Sequence, residues 1–179
     1  MLYDDLAALL DYPLGPLKIP LAENPETARL LGEFAKPVLA LHVEEREELY
    51  TRTFDINPLC SLEAGWQLYG ENYERGRFLV TMRQQLRRFE LAESAELPDH
   101  LTQVLMVLAR MTPTEAAQFA AQLVLPAVEK MLAGLQGKGN PYEFLLQAIR
   151  TELCHQTGLP PGERKPEMNL FPILEGVEQ

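Results

Sequence analysis

The sequence predicts an all-α protein, a single-domain helical bundle, and three observations carry that reading. Apolar residues recur with the 3.6-residue period of helices. Three helix starts are spelled by a capping residue followed by proline. No segment shows the strict alternation of a half-buried strand, and β-branched residues are sparse.

The elements follow in order. Leu2, Leu6, Leu9 and Leu10 line one face of an opening helix near 2–11. Asn24-Pro25 opens a second near 25–42, because proline at the first helical position loses only a donor that is unpaired anyway. Pro37 is expected to divide it, since an interior proline removes one backbone bond. The run Glu44-Glu45-Arg46-Glu47-Glu48 starts a helix near 43–53, its negative charge suiting the N-terminal dipole. A turn-rich break at 54–61 overlaps the start of helices expected near 59–69 and 72–91. Gly70 and Gly76 each cost about 1 kcal/mol of helix propensity, which implies a close helix crossing or a ligand against the backbone.

Leu101, Val104, Leu105, Leu108 and Met111 predict a helix over 98–111. Thr112-Pro113 with Glu115 forms a capping-box pattern that opens 113–136, a helix kinked at Pro126 and closed by Gly134, Gly137 and Gly139. Asn140-Pro141 with Glu143 repeats the pattern for 140–156, where Tyr142, Leu145, Leu146, Ile149 and Leu153 share a face. The chain thus divides into a helical domain, 1–157, and a proline-rich C-terminal tail, 158–179. The clump Leu170-Phe171-Pro172-Ile173-Leu174 is too apolar for a solvated tail and is expected to pack on the bundle or on a neighbour.

Composition bounds the function. At 179 residues, 46% of them hydrophobic, the chain is long enough for one globular core. Its net charge of −10 repels nucleic acid phosphates and anionic lipid and draws basic partners. Asp4 and Asp5 stand where an export signal would place basic and then apolar residues. No stretch reaches the ~20 apolar residues that span a bilayer. Cys60 and Cys154, far apart and without CxxC partners, suit free thiols in a reducing compartment. A cytoplasmic protein is expected.

Chemistry is hard to place on this chain. Cys154 and His155 are adjacent on a helix, so their side chains diverge by ~100° and do not share an ion easily. No glycine elbow accompanies either thiol, and Gly134-Leu135-Gln136-Gly137-Lys138-Gly139 lacks the strand and Ser/Thr of a phosphate loop. No metal and no cofactor are assigned, and the chain is read as a binding protein, with a Cys/His-dependent helical enzyme as the weaker alternative. The arginines at 75, 77, 83, 87 and 88 are read as partners of local glutamates in an acidic chain.

Two motifs add a resemblance. Leu49-Tyr50-Thr51-Arg52-Thr53-Phe54-Asp55, Pro58, Leu68-Tyr69-Gly70-Glu71 and Glu74-Arg75-Gly76 resemble the central signature of the TorD/DmsD/NarJ superfamily of redox enzyme maturation chaperones. Glu96-Leu97-Pro98-Asp99-His100-Leu101 is similar to the second signature of that family, in the NarJ-like branch also called the nitrate reductase delta subunit. The likeness runs over about residues 2–155. Gln67 departs from the histidine common in that branch, which leaves the client open among nitrate reductase and its molybdenum-dependent relatives.

The resemblance implies a cytoplasmic chaperone that binds the N-terminal segment of an apo molybdoenzyme catalytic subunit, twin-arginine signals included. It would assist cofactor insertion and delay export. It further implies a peptide site in which Asp99 and His100 make polar contacts, Glu96 shapes the loop, and Glu71 meets arginine. Phe54, Trp66 and Tyr69 would supply the apolar wall. Helix capping by Asp99 and plain core roles for Phe54 and Trp66 are the competing readings of those positions. A permanent accessory subunit is the competing function, and a homodimer stays open.

Overall fold

The computed structural model describes residues 2–92 and 94–162, and among them there is no β-strand. The apolar stripes read from the sequence face one another around one core. Its elements are α1 (Leu2–Leu9), α2 (Pro25–Leu39), α3 (Val43–Tyr50), α4 (Ala64–Tyr69), α5 (Tyr73–Arg88), α6 (Leu101–Leu108), α7 (Pro113–Phe119), α8 (Leu125–Leu135) and α9 (Tyr142–Thr157). Two π-helical turns, Thr51–Asp55 and Ala120–Val124, extend α3 and join α7 to α8. No helix among the described residues is long and apolar enough to cross a membrane. The expected docking of residues 170–174 lies outside the described residues.

Helix α9 is the hub, packed against α2 and α8. Tyr142 at its start is fully buried among Phe34, Tyr50 and Phe54, with ring centroids 4.8–6.1 Å apart. Such tilted and edge-on pairs add about 0.5–1.5 kcal/mol each beyond area burial. At the other flank α1 packs on α6, tied there by an Arg110–Asp4 ion pair of 2.6 Å.

The predicted caps form as local chemistry demands. Asn24 Oδ1 accepts from the Glu26 and Thr27 amides at 3.0 and 3.4 Å. Thr112 and Glu115 close a reciprocal capping box. Asn140 Oδ1 accepts from the Tyr142 amide at 3.0 Å, while its Nδ2 donates to Thr53 Oγ1 at 2.7 Å. Glu143 does not complete a box there; it accepts from Gln147 at 3.3 Å.

Several expectations need correction. Pro37 does not divide α2, which runs unbroken to Leu39. It sits in the last turn, where one missing bond is tolerated while Leu30, Leu31, Phe34 and Val38 stay buried. The helix expected from residue 59 begins only at Ala64. Its preceding backbone pairs elsewhere: Leu62 O accepts from the Leu101 amide and the Ala64 amide donates to Asp99 O, both at 2.8 Å, around an isolated antiparallel Glu63–His100 bridge.

Gly134 does not end its helix. A Cβ there would stand 2.6 Å from Leu59 O, so this glycine admits the backbone of the 56–63 loop. Gly137 and Gly139, at φ +71° and +65°, make the turn to α9. Neither Gly70 nor Gly76 marks a close crossing, for a Cβ at either would meet nothing within 4 Å. Gly70 is required by its φ of +59° just after α4. Just before Pro126 the helix takes a π turn, where the Leu125 amide reaches Ala120 O across five residues.

Candidate functional site

The two sequence motifs meet at the junction of α4, α5 and the loop before α6. The geometry starts from Gly65. A Cβ at this position would lie 2.6 Å from Asp99 Oδ2, 2.9 Å from Phe78 Cδ1 and 3.3 Å from Arg75 Cγ. Only glycine leaves room for the Asp99 carboxylate to enter from the loop while Arg75 enters from α5. The resulting ion pair, Arg75 Nε to Asp99 Oδ2, spans 3.4 Å. The guanidinium carbon of Arg75 lies 5.5 Å from the Trp66 ring centroid, so the cation is held between a carboxylate and an aromatic face. Trp66 Nε1 donates to Pro58 O at 3.3 Å and ties the 56–59 turn to α4.

The loop itself is pinned from below by Gln103. Its amide nitrogen approaches Ser94 Oγ, Glu96 O and Leu97 O at 2.9–3.1 Å. With the backbone pairing to residues 62–64, this fixes Glu96 and Leu97 at the surface and turns Pro98, Asp99 and His100 inward. His100 opens α6 as its N-terminal boundary residue, and its Nδ1 lies 2.8 Å from Thr102 Oγ1.

Electrostatics follow from burial. Asp99 is 0% exposed, and desolvation pushes its carboxyl above the usual aspartate value; Arg75 opposes that shift, and Glu63 adds to it. Asp99 Oδ1 is buried and makes no hydrogen bond among the described residues. His100 is 5% exposed, and desolvation pulls its pKa below the usual histidine value against the opposing pull of Glu96, Glu63, Asp11 and Asp99. Asp11 and Glu96 also bear on Tyr50, together with Asp55. Four acids from three separate stretches therefore gather round the loop, of which Asp11, Asp55 and Glu96 are exposed and Glu63 half-buried. Tyr12, edge-on to Tyr50 at 5.3 Å, carries the aromatic cluster of the core out to this rim. Exposed Ile56, Leu59 and Leu97 supply apolar surface on the same two segments.

The seven residues singled out in the sequence separate by depth. Trp66 and Tyr69 are half-buried, and Glu71 and Glu96 are exposed. Phe54 is 3% exposed, edge-on to Tyr50 and Tyr142, so it forms core and offers no wall to a peptide. Asp99 and His100 are likewise inside. Asp99 does not cap α6: its side chain turns to Arg75, and His100 takes the boundary position. Tyr69 leans on Phe78, ring centroids 6.1 Å apart.

Sequence reasoning missed Gly65, Gln103, Asp11 and Tyr12. Gln103 left no trace in the period, which sets it opposite the stripe of Leu101, Val104, Leu105 and Leu108; the 94–97 loop folding over it is what buries it. Gly65 left one, beside the single tryptophan. Asp11 and Tyr12 left none, since only the fold brings them to the loop.

Other chemistry finds little footing. Cys60 is fully buried, which pushes its thiol up to about 12, and Cys154 is half-buried. Among the described residues no three His, Cys, Asp or Glu side chains gather as a metal site. A cleft of about 450 Å³ lies between α8 and α9, lined by Glu129, Gln136, Glu143 and Arg150. Another of about 780 Å³ lies between the chain before α2 and the end of α9, lined by Leu21, Asn24, Glu152 and His155. Neither includes any of the seven residues.

Comparison with known proteins agrees with the motifs. The nitrate reductase molybdenum cofactor assembly chaperone NarJ of Escherichia coli (strain K12) is 28% identical over 125 residues, 69% of this chain and 52% of that protein. The protein of the same description from Escherichia coli O157:H7 matches equally. The chain spans about half the length of the curated relatives it matches. A family model described as the nitrate reductase delta subunit matches residues 21–143, more than half of the sequence. With both motifs inside that range and an all-α bundle around them, this chain belongs to the nitrate reductase delta subunit family.

Proposed function

We propose that this protein is a chaperone of molybdoenzyme maturation, with a nitrate reductase-like catalytic subunit as client. It acts in the cytoplasm and catalyses no reaction. In this reading it holds the N-terminal segment of the apo subunit while the molybdenum cofactor is inserted, and delays export where that segment carries a twin-arginine signal. Family membership supports the class of function. One observation of the structure supports the site: Asp11, Asp55, Glu63 and Glu96 ring a loop whose surface also offers Tyr12, Ile56, Leu97 and the edge of Trp66. Acid beside apolar surface suits a segment that is basic at its start and apolar after it.

The family's Asp99 and His100 then act from beneath. They position the loop that presents Glu96 and Leu97, and Phe54 supports the wall from the core. Glu71 and Tyr69, at the end of α4, extend the contact surface.

Calorimetric titration with a synthetic peptide of a nitrate reductase catalytic subunit N-terminus tests the site. Glu96→Gln and Asp11→Asn should weaken binding mainly at low ionic strength, because the Debye length shrinks from ~10 Å at 0.1 M to ~3 Å at 1 M. Trp66→Ala should cost about 2 kcal/mol at either salt if the ring anchors the peptide. Melting curves for each variant separate lost binding from lost fold. If all three stay folded and bind like the parent, the site is elsewhere.

A further inference from the structure

The described chain ends inside a groove. Helix α9 stops at Thr157, and Gly158, at φ +68°, turns the chain back on itself. Pro161 and Gly162 then enter the cleft between α8 and α9, where the Gly162 amide donates to Glu129 Oε1 at 3.1 Å. Glu129 also pairs with Arg150, 3.7 Å away. From that end the groove continues past Ala133 and Gln136 of α8 and past Gln147 and Glu143 of α9. Glu129 and Gln136 stand two helical turns apart, as do Arg150 and Glu143, which gives a path of about 10 Å at 1.5 Å per residue.

The groove carries charge in a definite order. At its entrance Arg150 Nε is buried and meets no hydrogen-bond partner among the described residues. At its far end stands Glu143, half-buried and accepting from Gln147. The sequence after Gly162 reads Glu163-Arg164-Lys165-Pro166, an acid for the entrance and then two bases for the far end. Extended chain covers about 3.3 Å per residue, so four residues match the path, and Pro166 favours an extended Lys165.

Beyond the groove lies exposed apolar surface. Gly134, about 140° round α8 from Glu129, admits the backbone of Leu59. Leu59 is 64% exposed and Ile56 72%. The segment from Gly162 to Leu170 reaches at most about 26 Å. The groove takes about 10 Å of that and a helix is about 10 Å across, so Leu170 can round the end of α8 and arrive at Leu59.

We propose that residues 163–174 form a strap on their own bundle. Glu163 to Pro166 lie in the α8–α9 groove, with Glu163 on Arg150 and the two bases on Glu143 and Glu129. Leu170, Phe171, Ile173 and Leu174 dock on Ile56 and Leu59, which removes both apolar surfaces from water. A second copy's tail has the same chemistry, but Gly162 already holds the chain's own tail at the groove and gives it a high effective concentration there. So placed, the strap covers Ile56, part of the surface proposed above to meet the client; the docking itself does not rest on that reading.

The test uses the full chain, whose single tryptophan, Trp66, donates to Pro58 O beside Leu59 and reports on this surface. The double variant Phe171→Asp, Ile173→Asp should expose Trp66 to acrylamide quenching while the melting transition is retained. The Ile56 and Cys60 amides, which donate to Thr51 O and Asn57 O, should exchange about tenfold faster in it. Arg164→Glu, Lys165→Glu should expose Trp66 as well. In a Cys154→Ser background, Leu59→Cys with Pro172→Cys should close an intramolecular disulfide under mild oxidation. Leu14→Cys with Pro172→Cys, its partner position 77% exposed elsewhere on the surface, should not. Parent-like quenching and exchange in either tail variant, or equal cross-linking from position 14, would overturn the proposal. So would a disulfide formed only between chains, because the occupant would then be a second copy.

Discussion

Replacing Gly65 by alanine adds one methyl group where three atoms already stand. The new Cβ would be 2.6 Å from Asp99 Oδ2, 2.9 Å from Phe78 Cδ1 and 3.3 Å from Arg75 Cγ. None can retreat cheaply. Phe78 is fully buried, and Asp99 is held by its ion pair and by the Ala64 amide on its carbonyl. Overpacking of this kind costs about 1–3 kcal/mol. Alanine regains about 0.5–1 kcal/mol over glycine inside a helix. At mid-range the net is a loss of about 1 kcal/mol, a drop in Tm of about 2–4 °C for a chain of this size.

Gly76→Ala is the matched control. It lies inside α5 with nothing within 4 Å of an added Cβ, so the propensity gain stands alone and Tm should rise by about 2–3 °C. Thermal melts followed by circular dichroism measure both. If Gly65→Ala melts at or above the parent while Gly76→Ala behaves as expected, the packing attributed to residues 65, 75, 78 and 99 is wrong.

Two further outcomes follow from the loop. His100 is neutral in the folded chain because burial lowers its pKa, so unfolding at acid pH takes up a proton. Stability from this group is present above the ordinary value of 6.5 and lost as pH falls through the lowered folded pKa. Urea midpoints at pH 7.5 and pH 5.5 should differ more for the parent than for His100→Gln, and equal differences would remove His100 from the account. Gln103→Met keeps volume but removes the donor shared by Ser94, Glu96 and Leu97, at a cost of about 1 kcal/mol. Amide exchange in residues 94–98 should accelerate, and unchanged exchange would mean that the backbone pairing alone holds the loop.

Helix starts were legible in the sequence because capping is local. Asn24, Thr112 and Asn140 need only their own next few residues to do their work. The late start of α4 was not legible, since residues 62–64 exchange a helical pairing for one with residues 99–101, far along the chain. Pro37 misled for a related reason: its cost depends on how near the helix end lies, and packing against α9 sets that end. The two motifs come together at one junction, yet the sequence left open which of their side chains face outward. Aspartate in a loop reads as a surface residue until Arg75 arrives from another helix to pair with it.

That pairing changes what the second motif does. Asp99 contributes a buried anion, Arg75 a cation from the first motif, and Gly65 the space in which they meet, so the two motifs are halves of one clasp. Pro98 and His100 turn inward beside Asp99, and Gln103 draws the preceding carbonyls down onto α6. The residues left facing outward are Glu96 and Leu97, one acid and one apolar side chain, neither chemically unusual. Under the proposed function, recognition at this loop depends on placement more than on residue type: a clasp built of buried charge holds two ordinary side chains beside Asp11, Tyr12 and Ile56, which the fold brings from other stretches of the chain. A substitution within the clasp should therefore weaken binding by moving Glu96 and Leu97, and a substitution of Glu96 should weaken it without moving anything.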